Sequence, residues 1–226
     1  RRKLALQNLE IAFGREKTLQ EKEKIAETAM QNLVRTVLEF TQIPRMVKNP
    51  KKYFDIQYAP AVRSAFEQKR GMIFLVSHLS NWELGGIAAG AIGLPIHGVA
   101  RILDNPFVNR FVNQTRALTG VSIMDKKGAV LEIASLLEKK QLVGMLIDQH
   151  ERRRAVWVDF FGRKAATTAL PAILALRYEA PVVPIFISRQ GFRYKVMADA
   201  PFPLIKTGDF EADVYANTQQ YIQRIE

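Results

Sequence analysis

A chain of 226 residues with 48% hydrophobic and 24% charged residues fits one globular domain with a sizeable core, or one domain with a helical extension. Cysteine is absent, which excludes thiol catalysis, disulfides and thiolate metal sites. The 33 basic residues outweigh 22 acidic ones to leave a net charge of +11, which attracts anionic partners such as nucleic acid, a membrane surface or an acidic protein.

Part of that charge is clustered, at Arg1, Arg2 and Lys3, at Arg45, Lys48, Lys51 and Lys52, and at Arg152 to Arg154. Each cluster also reads as ordinary solvated surface. The longest uncharged stretch, Leu84 to Ala100, is interrupted by five glycines and Pro95, so no spanning helix is expected. The chain is expected to be soluble or peripheral, and its first residue is not methionine.

Leu4, Leu6, Leu9, Ile11 and Phe13 give residues 1–13 a weakly amphipathic helical pattern, broken at Gly14. Thr18 and Glu21 have capping-box spacing. Behind them Ala26, Ala29, Met30, Leu33, Val34, Val37 and Leu38 recur at helical spacing, predicting a helix of about six turns that ends before Pro44. Core packing is the expected use of that stripe, with membrane-surface contact as the alternative. Residues 45–59 read as a basic, proline-marked connection, followed by a helix near 61–68.

From there strands and helices alternate. Strands are expected at 72–77, 96–100, 121–124, 142–147, 156–160, 182–187 and 192–198, and helices near 82–92, 105–118, 128–139, 169–178 and 210–225. This alternation argues for an α/β fold with helices packed on a sheet. No internal repeat appears, and a single domain over 1–226 is expected, with 1–60 as an N-terminal helical extension and 61–226 as the α/β core.

The chemistry concentrates between Gly71 and Gly86. Met72 to Val76 is an apolar run that reads as a buried strand, and a polar turn, His78-Leu79-Ser80-Asn81, follows it directly. Such sheets place ligands at strand C-termini. Glu83, five residues after His78, can lie beside the imidazole as the partner of a general base. A structural reading competes: Ser80 and Glu83 also have capping-box spacing. His97 is expected to be a structural strand residue and His150 a loop residue. No pair has the spacing of a metal motif, and nucleophile-elbow, Walker and dinucleotide fingerprints are absent. Gly86, Gly90 and Gly93 read as thinning a helix face for close packing against the sheet.

Ser77-His78-Leu79-Ser80-Asn81-Trp82-Glu83 resembles the first block of the lysophospholipid acyltransferase superfamily, H-x4-D or H-x4-E. Its Asn-Trp-Glu form resembles the lipid A biosynthesis (lauroyl/myristoyl) acyltransferases. Further blocks match in order: Arg1, Arg2, Asn8, Leu9, Ala12 and Phe13; then Arg101, Asn105, Pro106, Arg110 and Gly120; then Asp148, Gln149, Phe160 to Gly162, Ala166 and Thr167; then Pro181 to Pro184. The second block departs from the frequent Tyr-Arg-Pro, having Ala100-Arg101-Ile102.

The resemblance implies a glycerolipid-acyltransferase-like fold, a mixed and largely parallel sheet flanked by helices. It implies acyl transfer from a thioester on acyl carrier protein to a hydroxyl of a lipid A precursor. His78 would be the catalytic base and Glu83 its orienting partner, with Asn81, Arg101, Asn105, Arg110, Asp148 and Gln149 as substrate-binding candidates. Arg101 and Arg110 suit acceptor phosphates, and Arg152 to Arg154 the carrier or the membrane. No metal and no cofactor is implied. The partners would be the acidic carrier protein, an anionic glycolipid or phospholipid acceptor, and the cytoplasmic face of the inner membrane, with an upstream membrane helix expected. The alternatives are a related enzyme acting on a lysophospholipid or other glycolipid, and a non-enzymatic basic nucleic-acid-binding domain. Against the last, the aromatics are not interleaved with the basic clusters as stacking platforms require.

Overall fold

The computed structural model describes residues 2–67, 71–100, 102–125, 128–152 and 155–226. Arg1, Arg101, Arg153, Arg154 and the end of the helix expected at 61–68 lie outside them. The fold is α/β. Its main sheet has seven strands: β1 (Phe54–Tyr58), β2 (Met72–Val76), β3 (Ile96–Ala100), β4 (Ser122–Asp125), β5 (Leu142–Leu146), β8 (Val182–Gln190) and β9 (Arg193–Ala198). They lie in the order β1-β9-β8-β2-β5-β3-β4, and only the β8–β9 pairing is antiparallel. A separate hairpin pairs β6 (Ala155–Phe160) with β7 (Arg163–Thr168).

The central strands β8, β2 and β5 explain themselves by composition. Their runs Val182-Val183, Met72 to Leu75 and Leu142-Val143 are buried, as a sheet covered on both faces requires. Ile73, Val143 and Val183 are fully buried, each contributing roughly 1.5–3 kcal/mol. On one face α8 (Ala129–Glu138), α9 (Leu170–Tyr178) and α10 (Phe210–Gln223) pack through Ile133, Leu174, Ala175 and Tyr221. The other face is covered by α5 (Pro60–Glu67), α6 (Gly85–Ala91) and the segment around α3 (Ile43–Met46) and α4 (Pro50–Tyr53). α7 (Pro106–Ala117) connects β3 to β4.

Two strands escape the sequence reading. β1 lies inside the stretch read as a basic connection, although Phe54, Ile56 and Tyr58 alternate with polar residues and pair in register with Tyr194, Val196 and Ala198. β7 has no apolar alternation; its pairing follows from the two-residue turn Phe161-Gly162, where both residues have positive φ.

The helix expected at 82–92 begins as a single 3-10 turn, Trp82–Leu84, and continues as α6. Ser80 is not its N-cap. It sits in the left-handed region at φ 54°, and Asn81 precedes the turn without a side-chain cap. Gly86 and Gly90 do thin the helix face: a Cβ at Gly86 would meet Val121 Cγ2 at 2.4 Å, and one at Gly90 the Thr119 carbonyl at 2.6 Å. Gly93 serves a different purpose, turning the chain at φ 75° with open space around it.

The largest correction concerns α2 (Leu19–Phe40). Its capping box at Thr18 and Glu21 forms as expected, and α1 (Arg2–Phe13) packs along its first half. Its apolar stripe, however, does not face the core. Met30, Leu33, Val34, Val37 and Leu38 are all more than half exposed. The body of the protein is met instead by Asn32, Thr36 and Glu39, which hydrogen-bond to it, and by Phe40, which is buried. Periodicity identifies the apolar face but not what covers it. Among the described residues no helix is long and apolar enough to cross a membrane.

Candidate active site

β2 and β5 are parallel neighbours in a register that pairs Val76 with Leu146. Two residues beyond each strand end, that register sets His78 beside Asp148. The Asp148 carboxylate takes both polar hydrogens of His78: Oδ1 lies 2.7 Å from the imidazole Nδ1, and Oδ2 accepts the backbone N–H at 2.6 Å. With Nδ1–H donated to Asp148, the lone pair is on Nε2, where the Gln149 side-chain amide donates at 3.1 Å. Burial works to raise the Asp148 carboxyl, but the two hydrogen bonds from His78 and its charge outweigh it and hold the group below its ordinary range.

The imidazole also meets the edge of Trp82, with ring centroids 4.5 Å apart. Glu83, which the spacing assigned as the partner of His78, is turned elsewhere. Its carboxylate receives the Arg116 guanidinium at 2.9 and 2.7 Å and the Trp82 indole N–H at 3.2 Å. The reason is local geometry. The 3-10 turn holds Glu83 close to α7, and a guanidinium fork matches both carboxylate oxygens better than one imidazole N–H can. Arg116 and Asp148 therefore do the pairing that five-residue spacing had assigned within one segment.

A cavity of about 1100 Å³ opens beside these groups. His78, Trp82, Glu83, Arg116 and Gln149 line its polar part; Phe74, Val76, Leu94, Ile96, Val121 and Ile185 are among the apolar residues that extend it along the sheet. Tyr58, Arg63 and Glu67 also line it. Met72, Phe74 and Val76, alternate residues on one face of β2, all line it, so the cavity follows β2 for its length. A largely apolar space with a polar cluster around His78 suits a long hydrocarbon chain carrying a reactive head.

The remaining candidates separate. Gln149 and Asp148 join His78. Asn81 is fully buried and donates to Glu39 at 2.9 Å, away from the cavity lining. Asn105 caps α7, its side chain accepting from the Phe107 and Val108 amides. Arg110 is exposed on α7, and Arg101 lies outside the described residues. His97 is on β3, while His150 lines the cavity. Arg116 and Trp82 were not singled out by the sequence reading. Arg116 carries no local signal, since only the fold brings α7 to the 3-10 turn.

A family model described as bacterial lipid A biosynthesis acyltransferase matches residues 1–226. The chain belongs to this acyltransferase family. A family relative from Mycolicibacterium smegmatis, a phosphatidylinositol mannoside acyltransferase, is 26% identical over 166 residues, 71% of this chain. That match takes in 53% of the relative, so the chain spans about half the length of the curated relative it matches.

The dyad has a consequence for stability. Asp148 is depressed in the folded state, so its contribution is fully present above the ordinary carboxylate range, about pH 4, and is lost as pH falls through the lower native value. Thermal unfolding of wild type and Asp148→Asn should therefore differ at pH 7, with the gap closing below about pH 4. Melting curves that stay parallel throughout would contradict the hydrogen bonding of Asp148 to His78.

Proposed function

We propose that the chain moves a fatty acyl group from a thioester on acyl carrier protein to a hydroxyl of a lipid A precursor. The observation that supports this most is His78, fixed by Asp148 through Nδ1, with its Nε2 on the polar end of an apolar cavity. The acceptor hydroxyl takes the place of the Gln149 amide at Nε2. His78 removes its proton as the oxygen attacks the thioester carbonyl carbon. The tetrahedral intermediate then collapses, the carbon–sulfur bond breaks, and the proton passes from His78 to the departing sulfur. Asp148 keeps the imidazole in the tautomer that does this and stabilises the imidazolium between the two transfers.

Arg116, gripped by Glu83, supplies positive charge at the same end of the cavity, where it can meet the oxyanion or a phosphate of the acceptor. Glu83 acts in this reading on Arg116 rather than on His78. The acyl chain lies along Phe74, Ile96 and Ile185. The net charge of +11 supports an acidic donor protein and an anionic acceptor.

The mycobacterial relative favours a second acceptor, a mannosylated phosphatidylinositol. Transfer assays with acyl carrier protein thioester against lipid A precursor, phosphatidylinositol mannoside and lysophosphatidic acid separate these readings. His78→Ala should lower transfer by about 10²–10⁴-fold. Full activity in that variant would remove the mechanism, and transfer restricted to the mannoside would move the acceptor.

The same reading places the protein on the cytoplasmic face of the inner membrane. The outward stripe of α2, with Arg45, Lys48, Lys51 and Lys52 following the helix, supports docking on an anionic bilayer. Leu33→Asp with Val37→Asp should abolish co-sedimentation with phosphatidylglycerol-containing vesicles. Unchanged vesicle binding, or a dimer that these substitutions convert to monomer, would overturn that placement.

A further inference from the structure

The face of α2 turned toward the body is built for a different purpose from its outer stripe. Glu39 forms a two-pronged ion pair with Arg189 on β8, at 2.7 and 2.8 Å, and the third guanidinium nitrogen donates to Asn32 at 3.0 Å. The same Glu39 carboxylate accepts the Asn81 side-chain amide at 2.9 Å. One turn earlier, the Thr36 hydroxyl, bonded to the Asn32 carbonyl at 3.0 Å, is shared with the Ser80 carbonyl at 3.3 Å. Ser80 and Asn81 belong to the turn that carries His78.

That turn needs holding. Ser80 has φ 54°, a conformation a non-glycine residue keeps only when its surroundings impose it. Asn81 is fully buried, and its Oδ1 has no hydrogen-bond partner among the described residues, so the bond to Glu39 anchors its amide. Arg189 is partly buried, beside Tyr194. Burial tends to raise the Glu39 carboxyl, but bonds from Arg189, Asn81 and Tyr194 outweigh it, so the group stays ionised.

We propose that Glu39 and Arg189 are positioning residues that fix the His78 turn through Asn81, and so set the distance between the imidazole and its substrates. This rests on the reading of His78 as the base. Neither residue lines the cavity, so neither touches the acyl chain or the acceptor. Misplacing a reacting group by about 1 Å can cost on the order of 10²-fold in rate.

Steady-state kinetics on the intact chain test this. Glu39→Ala should lower kcat by about 10- to 100-fold with KM for both substrates nearly unchanged. Glu39→Gln, which keeps an acceptor oxygen for Asn81, should recover much of that loss. Asn81→Ala combined with Glu39→Ala should lose little more than either alone, since both break one connection. If Glu39→Ala does not fold, Thr36→Val takes its place, with a smaller fall in kcat. Wild-type kcat in a folded Glu39→Ala or Thr36→Val variant, or losses that multiply in the double variant, would overturn the proposal. Hydrogen exchange gives a readout independent of activity. The amides of residues 78–82 should exchange faster in Glu39→Ala, even if the wild-type chain proves to transfer no acyl group. Unchanged exchange there would count against the clamp itself.

Discussion

The site depends on the parallel register between β2 and β5. Parallel pairing of Val76 with Leu146 leaves two chain ends emerging side by side at the C-terminal edge of the sheet. Each reaches its first polar site residue two positions later, His78 from one strand and Asp148 from the other. The pairing runs unbroken from Met72–Leu142 to Val76–Leu146, and both faces of the two strands are packed in the core. The backbone pairing thus sets His78 beside Asp148, and the Asp148 carboxylate then orients the imidazole.

This explains how much of the site was legible in the sequence. Both strands, the polar residues after them and the histidine could be read from apolar runs and the turn that follows. The adjacency of β2 and β5 could not, because periodicity describes one segment at a time and sheet order is a property of the whole chain. Spacing therefore chose the acid nearest in sequence, Glu83. The fold brings a nearer one in space, 70 residues away. Arg116 was hidden for the same reason, and β1 was hidden because its alternating Phe54, Ile56 and Tyr58 lie in a stretch dominated by lysine and proline.

α2 carries the opposite lesson. Its helical period, cap and apolar stripe were all readable, yet the stripe faces outward and the polar edge faces in. An apolar face implies a partner of some kind, and periodicity does not say which. The inward edge of Asn32, Thr36 and Glu39 explains why the helix is oriented as it is. A partly buried guanidinium on β8 and a buried amide at Asn81 require charged and polar partners, and this edge of the helix supplies them. One helix can in this way connect the outer surface of the protein to the turn that bears His78.

The central claim is that Asp148, and not Glu83, holds the imidazole. Nitrogen NMR on histidine-labelled protein tests it most directly, by following the proton on His78 Nδ1. The account predicts a strongly hydrogen-bonded Nδ1–H in wild type, lost in Asp148→Asn and kept in Glu83→Gln. A proton found on Nε2 instead, or an Nδ1 signal that vanishes in Glu83→Gln while surviving in Asp148→Asn, would contradict it.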